Sequence, residues 1–101
     1  MDMTQLTERV RKAVGSDSGI DATIKFIFPN EGIIYIDGAS APNTVTNDDK
    51  DAKITITVSK ENFEKIIDHK LNPKLALMTG KMRLKGDIRI AMRLDKVFGT
   101  G

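Results

Sequence analysis

Two hydrophobic periods alternate along the chain, one typical of helices and one typical of strands. Over residues 4–14 the apolar positions recur at helical spacing, with Thr4 as the expected N-cap. Residues 20–28 are rich in β-branched and aromatic side chains, and a polar turn leads from them to a second strand, 33–37. The pattern therefore predicts an N-terminal helix followed by a β-hairpin.

The second half of the chain continues with further strands and helices. A short edge strand is expected within a polar connection, and the next strand alternates strictly before Ser59, the expected N-cap of a second helix. In chain order we predict strands at 44–46 and 52–58, a helix from Ser59 to about Lys70, a helical turn at 74–79, a strand at 81–85 and a helix at 87–98. This order predicts an α+β fold with a mostly antiparallel sheet and helices on one face.

Length and composition limit the kind of protein this is. The 101 residues suit one domain, 1–101, and 40% hydrophobic with 30% charged residues is ordinary for a globular protein, which disfavours disorder. The sequence contains no cysteine, which excludes a disulfide scaffold, a cysteine zinc site and a thiol nucleophile. No secretory signal and no long apolar span is visible, so a cytoplasmic location is expected.

Charge is unevenly distributed. Residues 1–69 hold eight Lys or Arg and twelve Asp or Glu, whereas residues 70–101 hold eight basic residues and two acidic ones. A cationic end suits an anionic partner such as acidic lipid headgroups or a phosphate-bearing ligand, although a solvated basic face is an equally good reading. Nucleic acid is disfavoured, because the five aromatic residues fall in apolar segments and leave no stacking platform.

No set of catalytic or metal-binding residues is visible. The single histidine, His69, lies at a predicted helix end beside Asp68 and Lys70, where a solvated side chain is the simplest interpretation. The acidic run at 48–51 lacks the spacing of a calcium loop, and no serine lies in a nucleophile-elbow pattern. We therefore expect a protein that is not an enzyme and that has no metal and no cofactor.

Apolar residues are concentrated in the C-terminal third. The predicted helix 87–98 is apolar over more than half of its circumference, which is wider than a helix on a sheet requires. This helix is either covered on two sides or meets a lipid or a partner. Met78, Met82 and Met92 fit a site for varied apolar ligands, because methionine is flexible, but they equally fit an ordinary core.

A set of short motifs in this region resembles the sterol carrier proteins, also called the non-specific lipid-transfer proteins. The motifs are Asn72-Pro73, Gly80-Lys81, Gly86-Asp87 and Ala91-Met92-Arg93-Leu94. The strand 52–58 followed by Phe63 is also similar to the family's strand-then-helix segment. The resemblance implies a five-stranded sheet with helices over one face, enclosing an apolar tunnel.

The resemblance also implies a function and a set of site residues. Members bind a long-chain lipid, whether fatty acid, fatty acyl-CoA, phospholipid or sterol, and need no cofactor. The residues expected to line the tunnel are Phe26, Phe63, Leu75, Leu77, Met78, Met82, Leu84, Ile88, Ala91 and Met92, with Ile90 and Leu94 also on the last helix. The cations Lys81, Arg83, Lys85, Arg89 and Arg93 are expected to contact a headgroup or an anionic membrane surface. Arg89 departs from the family, which usually has a small residue there.

Two other functions remain open at this stage. The fold could be an interaction module with a collapsed cavity, which uses its apolar last helix to dimerise or to dock on a partner. It could also be an accessory hydrolase or thioesterase, which would depend on His69 as its histidine. The chain is accordingly expected to be a monomer or a homodimer.

Overall fold

The computed structural model describes residues 1–99; residues 100 and 101, the end of the predicted domain 1–101, lie outside the described residues. Four helices and five strands follow one another along the chain. They are α1 (Met3–Val14), β1 (Thr23–Phe28), β2 (Gly32–Asp37), β3 (Thr44–Thr46), β4 (Ile54–Val58), α2 (Lys60–Ile67), α3 (Pro73–Met78), β5 (Met82–Gly86) and α4 (Ile88–Phe98). The predicted order of elements is therefore confirmed.

The first helix begins earlier than predicted. Asp2, and not Thr4, is its N-cap: the Asp2 carboxylate accepts a hydrogen bond from the Gln5 amide at 2.8 Å, and the Gln5 side chain accepts one from the Asp2 amide at 3.0 Å. This reciprocal capping box satisfies two amides that a helix end otherwise leaves without partners. Thr4 lies two residues after this N-cap and is part of the helix.

The five strands form one sheet in the order β3-β2-β1-β4-β5. Three of its four strand pairs are antiparallel, and the central pair, β1 with β4, is parallel, with Ile24 opposite Ile54. The α+β class and the five strands are thus as expected. The sheet is mixed, because the chain leaves the edge strand β3 and returns beside β1 in the same direction.

One face of the sheet carries the core. Alternate residues of β1 and β4 point to this inner face and are buried, whereas the residues between them are half-buried. Helices α1, α2 and α4 contribute side chains to the same hydrophobic core. Its members include Leu6, Val10, Ile24, Phe26, Phe28, Ile34, Ile36, Ile54, Ile56, Val58, Phe63, Ile66, Ile90 and Leu94.

The outer face is partly covered by the connection from β3 to β4. Tyr35 is on this face but is buried, and its hydroxyl donates a 3.0 Å hydrogen bond to the carbonyl oxygen of Asp51. Lys25, its cross-strand neighbour, forms a 3.0 Å ion pair with Asp49. The crossover therefore covers Tyr35 on the outer face of the hairpin.

The strand β5 is an edge strand with two different faces. Met82 and Leu84 are half-buried and lie opposite Val58 and Ile56 of β4, so they share the inner face. The strand ends at Gly86, whose φ is +119° and whose hypothetical Cβ would lie 2.3 Å from the Lys53 carbonyl oxygen. Only glycine fits this close approach, and it turns the chain directly into α4.

Candidate functional site

A cavity of about 370 Å³ lies between the inner face of the sheet and the three C-terminal helices. Strands β1, β4 and β5 supply its floor, and α2, α3 and α4 supply its walls. The lining residues are Phe26, Ile56, Phe63, Ile66, Asn72, Pro73, Lys74, Leu77, Met82, Leu84, Ile88, Ala91, Met92, Leu94, Asp95 and Phe98. Thirteen of these sixteen are apolar, so the cavity suits a hydrocarbon.

An aromatic cluster closes the cavity at its inner end. The Phe63 ring of α2 packs on Phe26 at a centroid distance of 4.9 Å and on Phe28 at 5.2 Å. Phe98, in the last turn of α4, meets Phe63 edge to face at 5.8 Å. These rings connect β1 in the floor to α2 and α4 in the walls, so the shape of the inner end of the cavity depends on the position of α4.

The opposite end is open to solvent. Leu77 of α3 with Ile88 and Met92 of α4 line the cavity, yet Ile88 is 61% exposed and Met92 is 70% exposed. The lining residues that are not apolar are Asn72, Lys74 and Asp95. Asn72 is the N-cap of α3 and accepts a hydrogen bond from the Lys74 amide at 2.8 Å, which fixes the start of this short helix.

The structure brings together eight of the ten residues expected to line a lipid site. They are Phe26, Phe63, Leu77, Met82, Leu84, Ile88, Ala91 and Met92. Leu75 and Met78 do not line the cavity: they are on α3, and Met78 is 81% exposed. Ile90 is buried on the side of α4 that faces the sheet, while Leu94 lines the cavity.

Sequence reasoning missed several lining residues. Ile56 and Ile66 are inward-facing in elements that were correctly predicted, so strand alternation and helical spacing could have identified them. Phe98 follows the same apolar face of α4. No sequence pattern identified Lys74 and Asp95. Hydrophobic periodicity marks apolar positions, whereas a polar residue at a cavity mouth is recognised only from its place in the fold.

None of the five cations expected at a headgroup lines the cavity. Arg83 and Lys85 alternate with Met82 and Leu84 and so point to the outer face of the sheet, away from the cavity. Arg93 donates a 2.6 Å hydrogen bond to the carbonyl oxygen of Ile20. Lys81 lies in the turn between α3 and β5, where its amide donates to the Ala76 carbonyl oxygen at 2.8 Å.

Arg89 is exposed at the start of α4 and is paired with Asp87, the N-cap of that helix. The guanidinium donates to both carboxylate oxygens, at 3.0 and 3.1 Å. The hydrogen bond from the Arg89 side chain lowers the pKa of Asp87, and the hydrogen bond from the Arg89 amide lowers it further by a smaller amount. The side-chain hydrogen bond to Asp87 also raises the pKa of Arg89. Arg89, where the family usually has a small residue, is not among the residues that line the cavity.

His69 lies away from this lining. It follows α2 with a left-handed φ of 61°, and its ring is close to Gly99 at the end of α4. Within residues 1–99 no group of three or more His, Asp or Glu side chains is arranged to hold a metal ion. Across the same residues, no helix combines the length and the hydropathy needed to cross a membrane.

Solved structures similar to this one have the same architecture. The sterol carrier protein domain 2 of Helicoverpa armigera aligns with a TM-score of 0.77 over 94% of this chain and 84% of its own, at 24% identity. Palmitated SCP2L2 from Aedes aegypti aligns with a TM-score of 0.69 over 97% and 95%, at 24% identity. At this level of identity the similarity concerns the fold.

Sequence comparison with curated proteins gives shorter matches. Hydroxysteroid dehydrogenase-like protein 2 of Danio rerio is 32% identical over 68 residues, which are 65% of this chain. The match covers only 16% of that protein, so this chain corresponds to a small part of it.

The match to a family is much longer. Residues 5–99, which include every strand and the whole lining of the cavity, match the SCP-2 sterol transfer family. The predicted resemblance is therefore confirmed, and the chain belongs to this family.

Proposed function

We propose that this protein is a carrier that binds a long-chain lipid in the cavity and transfers it between membranes. The observation that carries this proposal is the open cavity of about 370 Å³ with its thirteen apolar lining residues. Such a lining recognises hydrocarbon without a precise polar pattern. Each CH₂ group moved out of water contributes about 0.8 kcal/mol, so a sixteen-carbon chain offers on the order of 10 kcal/mol before ordering costs.

The preferred ligand is a single acyl chain, as a fatty acid or a fatty acyl ester such as acyl-CoA. The cavity is near the lower end of the roughly 300–1,000 Å³ range of ligand pockets, which favours one extended chain over a fused-ring sterol or a two-chain phospholipid. Lys74 at the mouth suits a carboxylate or a phosphate. The similarity to palmitated SCP2L2 from Aedes aegypti also supports an acyl chain.

The carrier acts without catalysis and without a cofactor. The polar groups that line the cavity are one amide, one ammonium and one carboxylate, from Asn72, Lys74 and Asp95. The lining contains no hydroxyl, thiol or imidazole that could act as a nucleophile paired with a base. We place the carrier in the cytoplasm, where it would exchange ligand with membranes.

Native mass spectrometry of the purified protein, before and after denaturing extraction, is the test. We expect a bound mass of a few hundred daltons that extracts as a lipid, or stoichiometric uptake of added palmitate or palmitoyl-CoA in preference to cholesterol. An empty monomer that takes up none of these ligands overturns the proposal. A concentration-dependent dimer that takes up no lipid supports the interaction module instead.

A further inference from the structure

The sheet ends in two edge strands that differ in how well they are covered. β3 is three residues long, and the Arg11 guanidinium of α1 donates a 2.9 Å hydrogen bond to the Val45 carbonyl oxygen. A short and covered edge is a poor template for a further strand. β5, at the other edge, is five residues long, and its last two residues, Lys85 and Gly86, are exposed. The sheet is therefore open on the side of β5.

The main chain of β5 has unpaired groups at this open edge. The Asp87 amide donates a 3.0 Å hydrogen bond to the Lys53 carbonyl oxygen, so the main chain of Asp87 faces β4. In an antiparallel pair every second residue faces the same neighbour, and the register of β5 with β4 is continuous from Gly86 back to Met82. The N–H and C=O groups of Met82 and Leu84 therefore point away from β4, and within residues 1–99 no other strand pairs with them.

The side chains beside this edge carry positive charge. Arg83 and Lys85 are exposed on the outer face of the sheet, and no ion pair within residues 1–99 includes either of them. Their cross-strand neighbours on β4, Thr57 and Thr55, are uncharged. Opposed and diagonal side chains on one face of a sheet are about 4.5–8 Å apart, so a carboxylate on an added strand would meet these cations. The edge therefore favours an acidic strand.

The same charges disfavour a second copy of this chain as the partner. Pairing of two β5 strands would place the cations of one copy beside those of the other, and like charges opposed across a sheet destabilise the pair. Cations on an edge strand commonly protect a sheet from self-association. They leave the edge available to a strand of opposite charge.

We propose that β5 is a docking site for an extended acidic segment of a partner protein, which adds to the sheet as a sixth strand. The segment pairs antiparallel with β5, because antiparallel ladders are slightly more stable per residue. Its acidic side chains lie on the outer face beside Arg83 and Lys85, and its alternate side chains are apolar and lie on the inner face beside Met82 and Leu84. This interaction goes beyond the carrier function and does not require a lipid in the cavity.

The probe is a fluorescent peptide of about six residues, the usual length of a strand, in which glutamate alternates with valine and both ends are blocked. Two control forms are N-methylated, one on every valine amide and the other on every glutamate amide, so their charge and composition are equal. In the proposed pairing the valines lie opposite Met82 and Leu84, and their amides face β5. Only valine methylation then removes hydrogen bonds to the edge.

Binding to the full chain is measured by fluorescence anisotropy for wild type, Arg83→Glu and Lys12→Glu. Lys12 is exposed on α1, the helix that covers the opposite edge, so Lys12→Glu makes the same charge change far from β5. We expect valine methylation to weaken binding to wild type by at least about tenfold and glutamate methylation to change it less than about twofold. Arg83→Glu should weaken binding of the unmodified peptide by at least about threefold, and Lys12→Glu should leave it nearly unchanged.

Equal binding by the two methylated forms overturns the proposal, because it indicates attraction by bulk charge without strand pairing. An equal loss in Arg83→Glu and Lys12→Glu overturns it for the same reason. Wild type that does not bind the unmodified peptide also overturns it, and a separate measurement of palmitate uptake by the same protein then tests the carrier function on its own.

Amide hydrogen exchange measured by NMR locates the binding on the sheet. The amides of Met82 and Leu84 should exchange quickly in the free protein and at least about tenfold more slowly when the peptide is bound. Peptide binding that leaves both amides unprotected overturns the proposal. A dimer of the wild type that protects these amides without peptide overturns it in favour of a second copy as the partner.

Discussion

Phe63 of α2 and Phe98 of α4 meet edge to face, with ring centroids 5.8 Å apart and an interplanar angle of 86°. Phe63 is buried and also packs on both phenylalanines of β1, whereas Phe98 is half-buried. Phe63 therefore belongs to the hydrophobic core and to the cavity wall at once. Substitutions at these two positions should therefore differ in their cost to the stability of the fold.

Phe63→Ala should lower the free energy of unfolding by about 3–5 kcal/mol, because it removes a buried ring that three other rings contact. Phe98→Leu should cost less than about 1.5 kcal/mol, since the new side chain keeps most of the volume at a half-buried position. Urea denaturation followed by circular dichroism measures both. Equal losses in the two variants would contradict the central role of Phe63.

Met92→Asp should weaken palmitate binding by at least about tenfold, because it places a carboxylate where the lining is apolar. Met92 is exposed at the mouth, so the variant should fold normally. Thr44→Asp provides the same charge change away from the cavity. Fluorescent fatty acid displacement measures the affinity, and a folded Met92→Asp protein with wild-type affinity would show that the site is elsewhere.

Lys74→Met should weaken palmitate binding about threefold and leave hexadecanol binding unchanged. The Lys74 ammonium group attracts the carboxylate of palmitate at the mouth, whereas hexadecanol has no charge for it to attract. The expected change in affinity is small because an exposed ion pair contributes little binding energy. Lys70→Met is the matched control, because Lys70 is an exposed lysine that does not line the cavity. A similar change for both ligands would exclude Lys74 as a headgroup contact.

Arg9→Gln should raise the pKa of Asp68 towards its ordinary value of 3.8. The Arg9 guanidinium donates a 2.5 Å hydrogen bond to the Asp68 carboxylate, and this bond is the largest cause of the lowered pKa. A carboxyl with a lowered pKa stabilises the fold above its unfolded-state pKa. That contribution disappears as pH falls through the folded-state value.

Measurements of the Arg9–Asp68 pair have two parts. Carboxyl titration by NMR should place the Asp68 pKa higher in Arg9→Gln than in wild type. The stability difference between wild type and variant should be constant above the ordinary value of 3.8 and shrink at lower pH. An unchanged Asp68 pKa in the variant would show that the pair does not persist in solution.

Local sequence patterns predicted the elements of this fold well. Strict alternation identified β4 and β5 with their buried faces, and Ser59 is the N-cap that it was expected to be. The parallel pairing of β1 with β4 was not predicted. A strand's period indicates which face is buried, whereas its neighbour depends on where the chain returns after a crossover.

The apolar part of the site was more predictable than its polar part. Side chains such as Met82 and Ala91 follow periods that place them inward, and the resemblance to sterol carrier proteins indicated which inward face holds the ligand. The cations were predicted to contact a headgroup or an anionic membrane surface. Arg83 of β5, however, points to the far side of the sheet, away from the cavity mouth.

The parallel pairing of Ile24 with Ile54 also determines the order in which this protein can fold. Ile24 and its partner Ile54 are thirty positions apart in the chain, so the pair β1–β4 cannot form as a local hairpin. Pairing of β1 with β4 requires the chain between them to close into a long loop, and this requirement slows folding. Since β5 pairs only with β4 and α4 follows β5, we expect the cavity to form last and to open first.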